Sequence, residues 1–147
     1  MKAFFFRLEK VLRYRGHMEK RAQRELYGAK DEYERTEEAI KQLLWRRQGL
    51  LERCRELSLK GIDVPRYRIY RSFLDKVDSD LAAASDRLHE AGQKVKAKAR
   101  ALREETIRKK TLKTLKQRQQ ERHIRWMERE SQKAIDELVI IRREGRL

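Results

Sequence analysis

The feature that most constrains this chain is a mostly apolar repeat of three and four residues with one strong interruption. The interruption is "KGIDVPRY", residues 60–67, which holds the only proline. Gly61 can end one helix in a left-handed conformation, Asp63 can cap the next, and Pro65 is tolerated in a first helical turn. The pattern predicts two long helices that fold back on each other as an antiparallel coiled coil.

Each predicted helix carries a mostly apolar seam at heptad spacing. The first seam consists of Leu8, Val11, Arg15, Met18, Ala22, Leu26, Ala29, Tyr33, Thr36, Ile40, Leu43, Arg47, Leu50, Cys54 and Leu57. The second consists of Tyr67, Tyr70, Leu74, Val77, Leu81, Ala84, Leu88, Ala91, Val95, Lys98 and Leu102. We therefore expect an all-α fold in one domain, residues 1–147, with helices at about 4–58 and 66–143 and a turn at about 59–65.

The position of the turn predicts which residues of the two helices face each other. If it centres near residues 62 and 63, residue i faces roughly residue 125 − i, which leaves 119–147 as an unpaired helical overhang. This register places Gly92 opposite Tyr33, where the missing side chain could make room for the ring.

The positive charge of the chain is concentrated in two segments. The sequence has 39 Lys or Arg and 24 Asp or Glu, and its excess lies in residues 1–30, net +6, and 96–129, net +9. The antiparallel register makes these segments neighbours, so their mutual repulsion would be relieved by an anionic partner. The alternative is that the basic run at 108–126 is only a solvated helical face. The second seam turns polar here, at Glu105 and Lys109, so this part of the pair should be the loosest.

Several classes of function are not supported by the residues. His17, His89 and His123 share no helical face, and no phosphate loop, paired cysteine motif or nucleophile with a base is found. Cys54, on the seam, is expected to act as a small apolar side chain. The apolar run at the N-terminus ends at Phe6, too early for a signal peptide, and no stretch approaches the ~18 apolar residues of a membrane span. We expect a non-enzymatic protein without cofactor or metal.

Three stretches in this order resemble the FliJ family of the bacterial flagellar type III export apparatus. They are residues 6–15 followed by "EKRAQREL", the junction "KGIDVPRYRIYRSFLDKV", and the C-terminal "SQKAIDELVIIRR". The resemblance covers nearly the whole chain. It implies a cytoplasmic coiled-coil stalk in the central hole of the hexameric export ATPase FliI. It also implies contact with the membrane-embedded export gate FlhA, hence a peripheral membrane location, and a link to export chaperones.

The resemblance also suggests which residues bind each partner. The expected ATPase-binding residues are Phe4, next to the motif, Phe6, Leu8, Val11, Leu12 and Arg15, with Asp136, Glu137, Leu138, Arg142 and Arg143 of the C-terminal motif. The expected gate-binding residues are Tyr67, Tyr70 and Phe73, which match the family's aromatic stretch, with Trp45 nearby on the first helix.

Other interpretations of these residues stay open from the sequence. Phe4 or Phe5 could pack on the facing helix, although three adjacent aromatic residues in one helix cannot all face one seam. Tyr67 and Tyr70 are seam positions and could simply be core. The competing functions are binding of nucleic acid or of an anionic membrane surface. The basic segment offers few aromatic side chains for stacking on bases and few large apolar ones for lipid, and no specific nucleic-acid partner is expected.

Overall fold

The computed structural model describes residues 3–146 and consists of two long α-helices. Helix α1 spans Glu9–Lys60 and helix α2 spans Val64–Glu144. No strand occurs in residues 3–146, and the two helices pack against each other antiparallel. The predicted all-α hairpin with a C-terminal overhang is therefore confirmed. Helix α1 begins later than the expected start near residue 4, and the link is shorter than expected.

The link between the helices is built as the sequence predicts. Gly61 has a φ of 82°, the left-handed conformation that glycine adopts without a steric penalty. Its N–H donates to the carbonyl of Ser58 at 3.4 Å, and the carbonyl of Asp63 accepts from the N–H of Tyr67 at 3.1 Å. Asp63 thus holds the cap position of α2, and Pro65 lies in the first turn of that helix, where its missing N–H costs nothing.

Contacts within the chain group its residues into two units. We call Arg21–Leu102 the turn unit, and Met1–Lys20 together with Arg103–Leu147 the terminal unit. The assignment of the whole chain to one domain stays a prediction.

The turn unit has a narrow core made mainly of small side chains. Its buried residues all lie on the predicted seams, and they are Ala22, Ala29, Leu74, Val77, Ala84 and Ala91. Alanines at these positions let two helices approach closely without voids. The remaining seam residues are half-buried except Tyr67, which is exposed near the turn. The seams predicted from spacing are therefore confirmed in this unit.

Ion pairs across the two helices report the register of the turn unit. Arg47 pairs with Asp78 at 2.7 Å, and Glu32 pairs with Lys94 at 2.9 Å. Both pairs lie within about one position of the predicted facing residues, which confirms the register. Exposed pairs of this kind are worth only about 0.2–1 kcal/mol each, so they favour one alignment rather than hold the helices together.

Glu25 is the carboxyl group most affected by its neighbours. The hydrogen bond from Lys98 at 3.0 Å, and after it the bond from Arg21 at 3.2 Å, lowers the pKa of Glu25 below its ordinary value. The charged form of Glu25 is therefore favoured at neutral pH, and the pairing with Lys98 is present there.

Gly92 lies against Tyr33, as the register predicts. A Cβ at Gly92 would lie 3.5 Å from Cε2 of Tyr33, which is an ordinary van der Waals distance. Gly92→Ala should therefore raise the free energy of unfolding by about 0.5–1 kcal/mol, since Ala loses less conformational entropy in a helix. Urea denaturation followed by circular dichroism measures this gain. Gly92→Leu must displace the ring of Tyr33 and should not raise the free energy of unfolding. A lower free energy of unfolding in Gly92→Ala would contradict the described contact between Gly92 and Tyr33.

The two helices of the terminal unit face each other with charged groups where those of the turn unit use alanines. Glu9 pairs with Lys116 at 2.8 Å, and Glu19 pairs with Lys109 at 3.5 Å. Phe6 is the buried residue of this unit in the described part of the chain. The polar seam expected at Glu105 and Lys109 is confirmed, since both are half-buried. That this part is the loosest stays a prediction.

Candidate partner-binding surfaces

The phenylalanine cluster precedes helix α1 and is not part of it. The expected helix start at about residue 4 would have placed the cluster in the first turn, but α1 begins at Glu9, whose N–H donates to the carbonyl of Phe6 at 3.2 Å. Outside a helix, adjacent side chains can point in opposite directions. Phe6 is 4% exposed and Phe5 is 80% exposed. Phe4 is half-buried, with its ring centre 5.8 Å from that of His123 on α2.

This arrangement changes the roles expected of the cluster. Phe6, expected to bind a partner, is a core residue, because its side chain is almost fully covered within the terminal unit. Phe5, which the family motif does not include, is the accessible ring. Phe4 keeps part of its surface free beside His123.

The first residues of α1 offer both accessible and covered side chains. Leu8 and Val11 are exposed although their spacing places them on the seam. Leu8 lies in the turn before α1, where helical spacing does not apply. Leu12 and Arg15 are half-buried. Of the four residues, only Leu8 and Val11 therefore present open apolar surface.

Arg15 is held beside a covered carboxylate. Its Nη1 lies 3.8 Å from Oε2 of Glu105, whose side chain is 13% exposed and whose Oε1 lies 3.0 Å from Nη1 of Arg108. Oε2 of Glu105 has no hydrogen-bond partner in residues 3–146. Arg15 thus balances a carboxylate within the unit, and its role is at least partly structural.

The end of α2 exposes a large apolar surface. All residues from 128 to 146 are exposed, and Leu138 is 67% exposed. We define the C-terminal apolar surface as the exposed apolar residues Ile135, Leu138, Val139, Ile140 and Ile141. Ile135, Leu138 and Ile141 fall on one side of the helix, and Val139 borders them. An apolar surface of this extent, surrounded by charged residues, is typical of a partner-binding site.

The charged residues expected at this end lie around that surface. Asp136 accepts a hydrogen bond from Gln132 at 2.9 Å. Glu137, Arg142 and Arg143 are exposed and form no ion pair within residues 3–146. All five C-terminal residues predicted as a site, including Leu138, are therefore accessible on one stretch of helix.

The predicted site missed most of the apolar residues at this end. The predicted residues do not include Ile135, Val139, Ile140 or Ile141, although these lie within the stretch that carries the family resemblance. The signal that could have found them is the position of "IDELVII" on the overhang, beyond the last residue that the first helix can face. Apolar residues without a facing helix must be exposed or covered by a partner.

Trp45 in the turn unit is the most exposed of the aromatic residues that are predicted to bind a partner. Its side chain is 84% exposed beside a shallow apolar depression between Lys41, Gln42 and Arg46 on α1. It lies off the seam, as expected. No aromatic contact joins it to Tyr67, Tyr70 or Phe73 within the described residues.

The aromatic residues after the turn divide between core and surface. Tyr70 is half-buried, which agrees with a seam position, while Tyr67 and Phe73 are exposed. Ile69, four residues before Phe73 on the same helical face, is also exposed and was not predicted. Phe73 and Ile69 therefore make the accessible apolar surface on this part of α2.

The two units differ in charge. The terminal unit contains 20 Lys or Arg and 10 Asp or Glu, a net charge of +10, and the turn unit contains 19 and 14, a net charge of +5. The cationic excess therefore lies mainly in the unit that bears the C-terminal apolar surface. Within residues 3–146, no cluster of His, Cys, Asp or Glu suited to a metal ion occurs. No helix in this range is long and apolar enough to cross a membrane.

Comparison with known proteins gives one match. The family model described as flagellar FliJ protein matches residues 4–146. No curated protein and no solved structure matches the chain.

Proposed function

We propose, from the premise that this chain belongs to the flagellar FliJ family and is a component of the flagellar export apparatus, that its terminal unit binds the hexameric export ATPase. Binding would promote assembly of the ATPase ring and raise its activity, with the chain acting as a non-catalytic stalk. The observation that carries this proposal is the exposed C-terminal apolar surface at Ile135–Ile141, which no part of the described chain covers.

The dimensions of the overhang suit a site inside a ring. From residue 128 onward, α2 is exposed on all sides, so it is a single helix about 10–12 Å across with its side chains. A single helix can enter a narrow central hole that a helical pair would fill. The apolar side chains on it would be covered by the surrounding subunits, which supplies the free energy of binding.

The charge of the terminal unit also favours entry of its overhang into the ring. A net charge of +10 would be steered toward an acidic lining of the ring, and the charges would set the direction of entry. Phe5, Leu8 and Val11 offer further apolar area in the same unit. Arg142 and Arg143, which form no ion pair within the described residues, are available for carboxylates of the ATPase.

We further propose that the turn unit contacts the export gate. The contact would use Trp45 on α1 and the exposed Tyr67 and Phe73 on α2, since aromatic side chains are favoured anchors of interfaces. Tyr70, half-buried, would support them from the seam. Contact with the gate would place the chain at the cytoplasmic side of the membrane as a peripheral component, where export chaperones are further candidate partners.

Titration of the full chain into the cognate export ATPase, at about 0.15 M salt, tests the proposal. ATP turnover and ring assembly are followed together, the second by sedimentation velocity. We expect stimulation and hexamer formation at fewer than one chain per ATPase subunit, because one stalk serves one ring. Salt-sensitive binding to duplex DNA with no effect on the ATPase would contradict the proposal and favour a nucleic-acid function.

A further inference from the structure

The outward side of α2 in the terminal unit has a shallow groove that the proposed ATPase contact does not use. Its lining residues are Ile107, Lys110, Thr111, Thr114, Leu115 and Arg118, with none from α1. Ile107 is 58% exposed, and Leu115 is also exposed. The floor of the groove is therefore apolar surface that the fold leaves open.

The residue types in this groove are unusual for an exposed helical face. Ile107, Thr111 and Thr114 are β-branched and lower the helix propensity of a stretch that is otherwise rich in Lys, Leu and Gln. The hydroxyl of Thr111 donates to the carbonyl of Ile107 at 2.9 Å, so it is satisfied within the helix. Packing against α1 does not explain these residues, because they lie on the opposite side of α2.

The cations on the two sides of α2 are used differently. On the side facing α1, Lys109 pairs with Glu19, and Lys116 pairs with Glu9. At the groove, Lys110 and Arg118 are exposed and form no ion pair or side-chain hydrogen bond within the described residues. The inner cations stabilise the helical pair, whereas the outer ones are free for a partner.

We propose that this groove binds an amphipathic helix of a protein partner, whose apolar ridge packs on Ile107, Thr111 and Leu115 and whose acidic residues lie along one edge of that ridge. These three positions are four residues apart and form one ridge row, the arrangement by which helices commonly interdigitate. Lys110 and Arg118 form, with Thr114 between them, a second row of the same spacing beside the first, where they meet carboxylates along one edge of an apolar ridge. From residue 107 to 118 the groove spans about 16 Å, or about three helical turns.

The residues present favour a helix over the other anionic partners. Two large apolar side chains are too few to insert into a lipid surface. A phosphate backbone would use the cations but would leave the apolar floor uncovered, and residues 103–122 contain no aromatic side chain for stacking on bases. An acidic amphipathic helix uses both features.

The probe is a fluorescent synthetic peptide of about three heptads with Leu on its apolar face and Glu beside it, bound to the full chain and followed by anisotropy. The paired variant Ile107→Ser with Leu115→Ser leaves the charge unchanged, and we expect it to weaken binding about tenfold. The matched control, Leu44→Ser with Leu59→Ser, removes exposed apolar residues of the turn unit and should change affinity less than about twofold.

A second pair of variants tests the cations. Lys110→Glu with Arg118→Glu should weaken peptide binding more than Arg55→Glu with Arg68→Glu, which changes the net charge equally at exposed sites in the turn unit. Circular dichroism confirms that each variant keeps its helical content. Equal weakening by test and control pairs would overturn the proposal. So would binding to phosphatidylserine vesicles or duplex DNA that depends on Ile107 and Leu115 when peptide binding does not.

Discussion

Replacing Ile135, Leu138 and Ile141 by serine is expected to weaken binding of the chain to the export ATPase by about 100-fold or more. Each of these apolar side chains is more than half exposed and would be covered by the ring. Burial of such a side chain contributes about 1.5–3 kcal/mol, so partial burial of three accounts for the expected change. Affinity is measured by sedimentation velocity, together with stimulation of ATP turnover.

The control for this experiment uses exposed apolar residues of the turn unit. Leu44→Ser, Leu59→Ser and Ile69→Ser remove similar area from a surface that the ATPase is not proposed to contact. Binding should then stay within about threefold. Unchanged stimulation by the C-terminal variant, with its helical content retained, would place the ATPase contact elsewhere on the chain.

Phe6→Ala is expected to destabilise the terminal unit by about 3 kcal/mol, the range of large aromatic truncations in a core. Phe6 is the side chain that covers apolar surface before α1 begins, and little else in this unit is buried. The loss should be local and should appear as faster hydrogen exchange at the N–H of Leu12, which donates to the carbonyl of Leu8 at 2.8 Å.

Phe5→Ala gives the matched comparison one residue away. Its ring is exposed, so the free energy of opening measured by the same exchange should change by less than about 0.5 kcal/mol, while binding to the ATPase should weaken. If Phe5→Ala and Phe6→Ala accelerated exchange equally, the assignment of Phe6 to the core and Phe5 to the surface would be wrong.

The helices and their alignment could be predicted because they depend on regular spacing. One breaker at residues 60–67 sets where the chain reverses, and the reversal point sets which residues face each other. The approach of Tyr33 to the backbone of Gly92 and the pair Arg47–Asp78 agree with that register. Both are consequences of counting residues from a known turn.

The accessible surfaces could be predicted only in part, because spacing does not determine exposure at chain ends. Leu8 and Val11 have seam spacing but are exposed, and Phe6 is buried. Trp45 and Phe73 were recognisable as surface residues because they lie off a continuous seam. The exposure of residues 139–141 follows from the missing facing helix rather than from residue type, since all three are apolar.

The sequence by itself determined an all-α hairpin, its turn, its register and the charge of its two segments. These properties are local or additive, since they depend on residue type, period and count. Only the tertiary structure decided that the chain before Glu9 leaves the helix, that Phe6 rather than Phe4 or Phe5 fills the core, and which cations are paired. Those outcomes depend on which of several neighbouring side chains fills a given space between the two helices, and a periodic sequence pattern does not specify that choice.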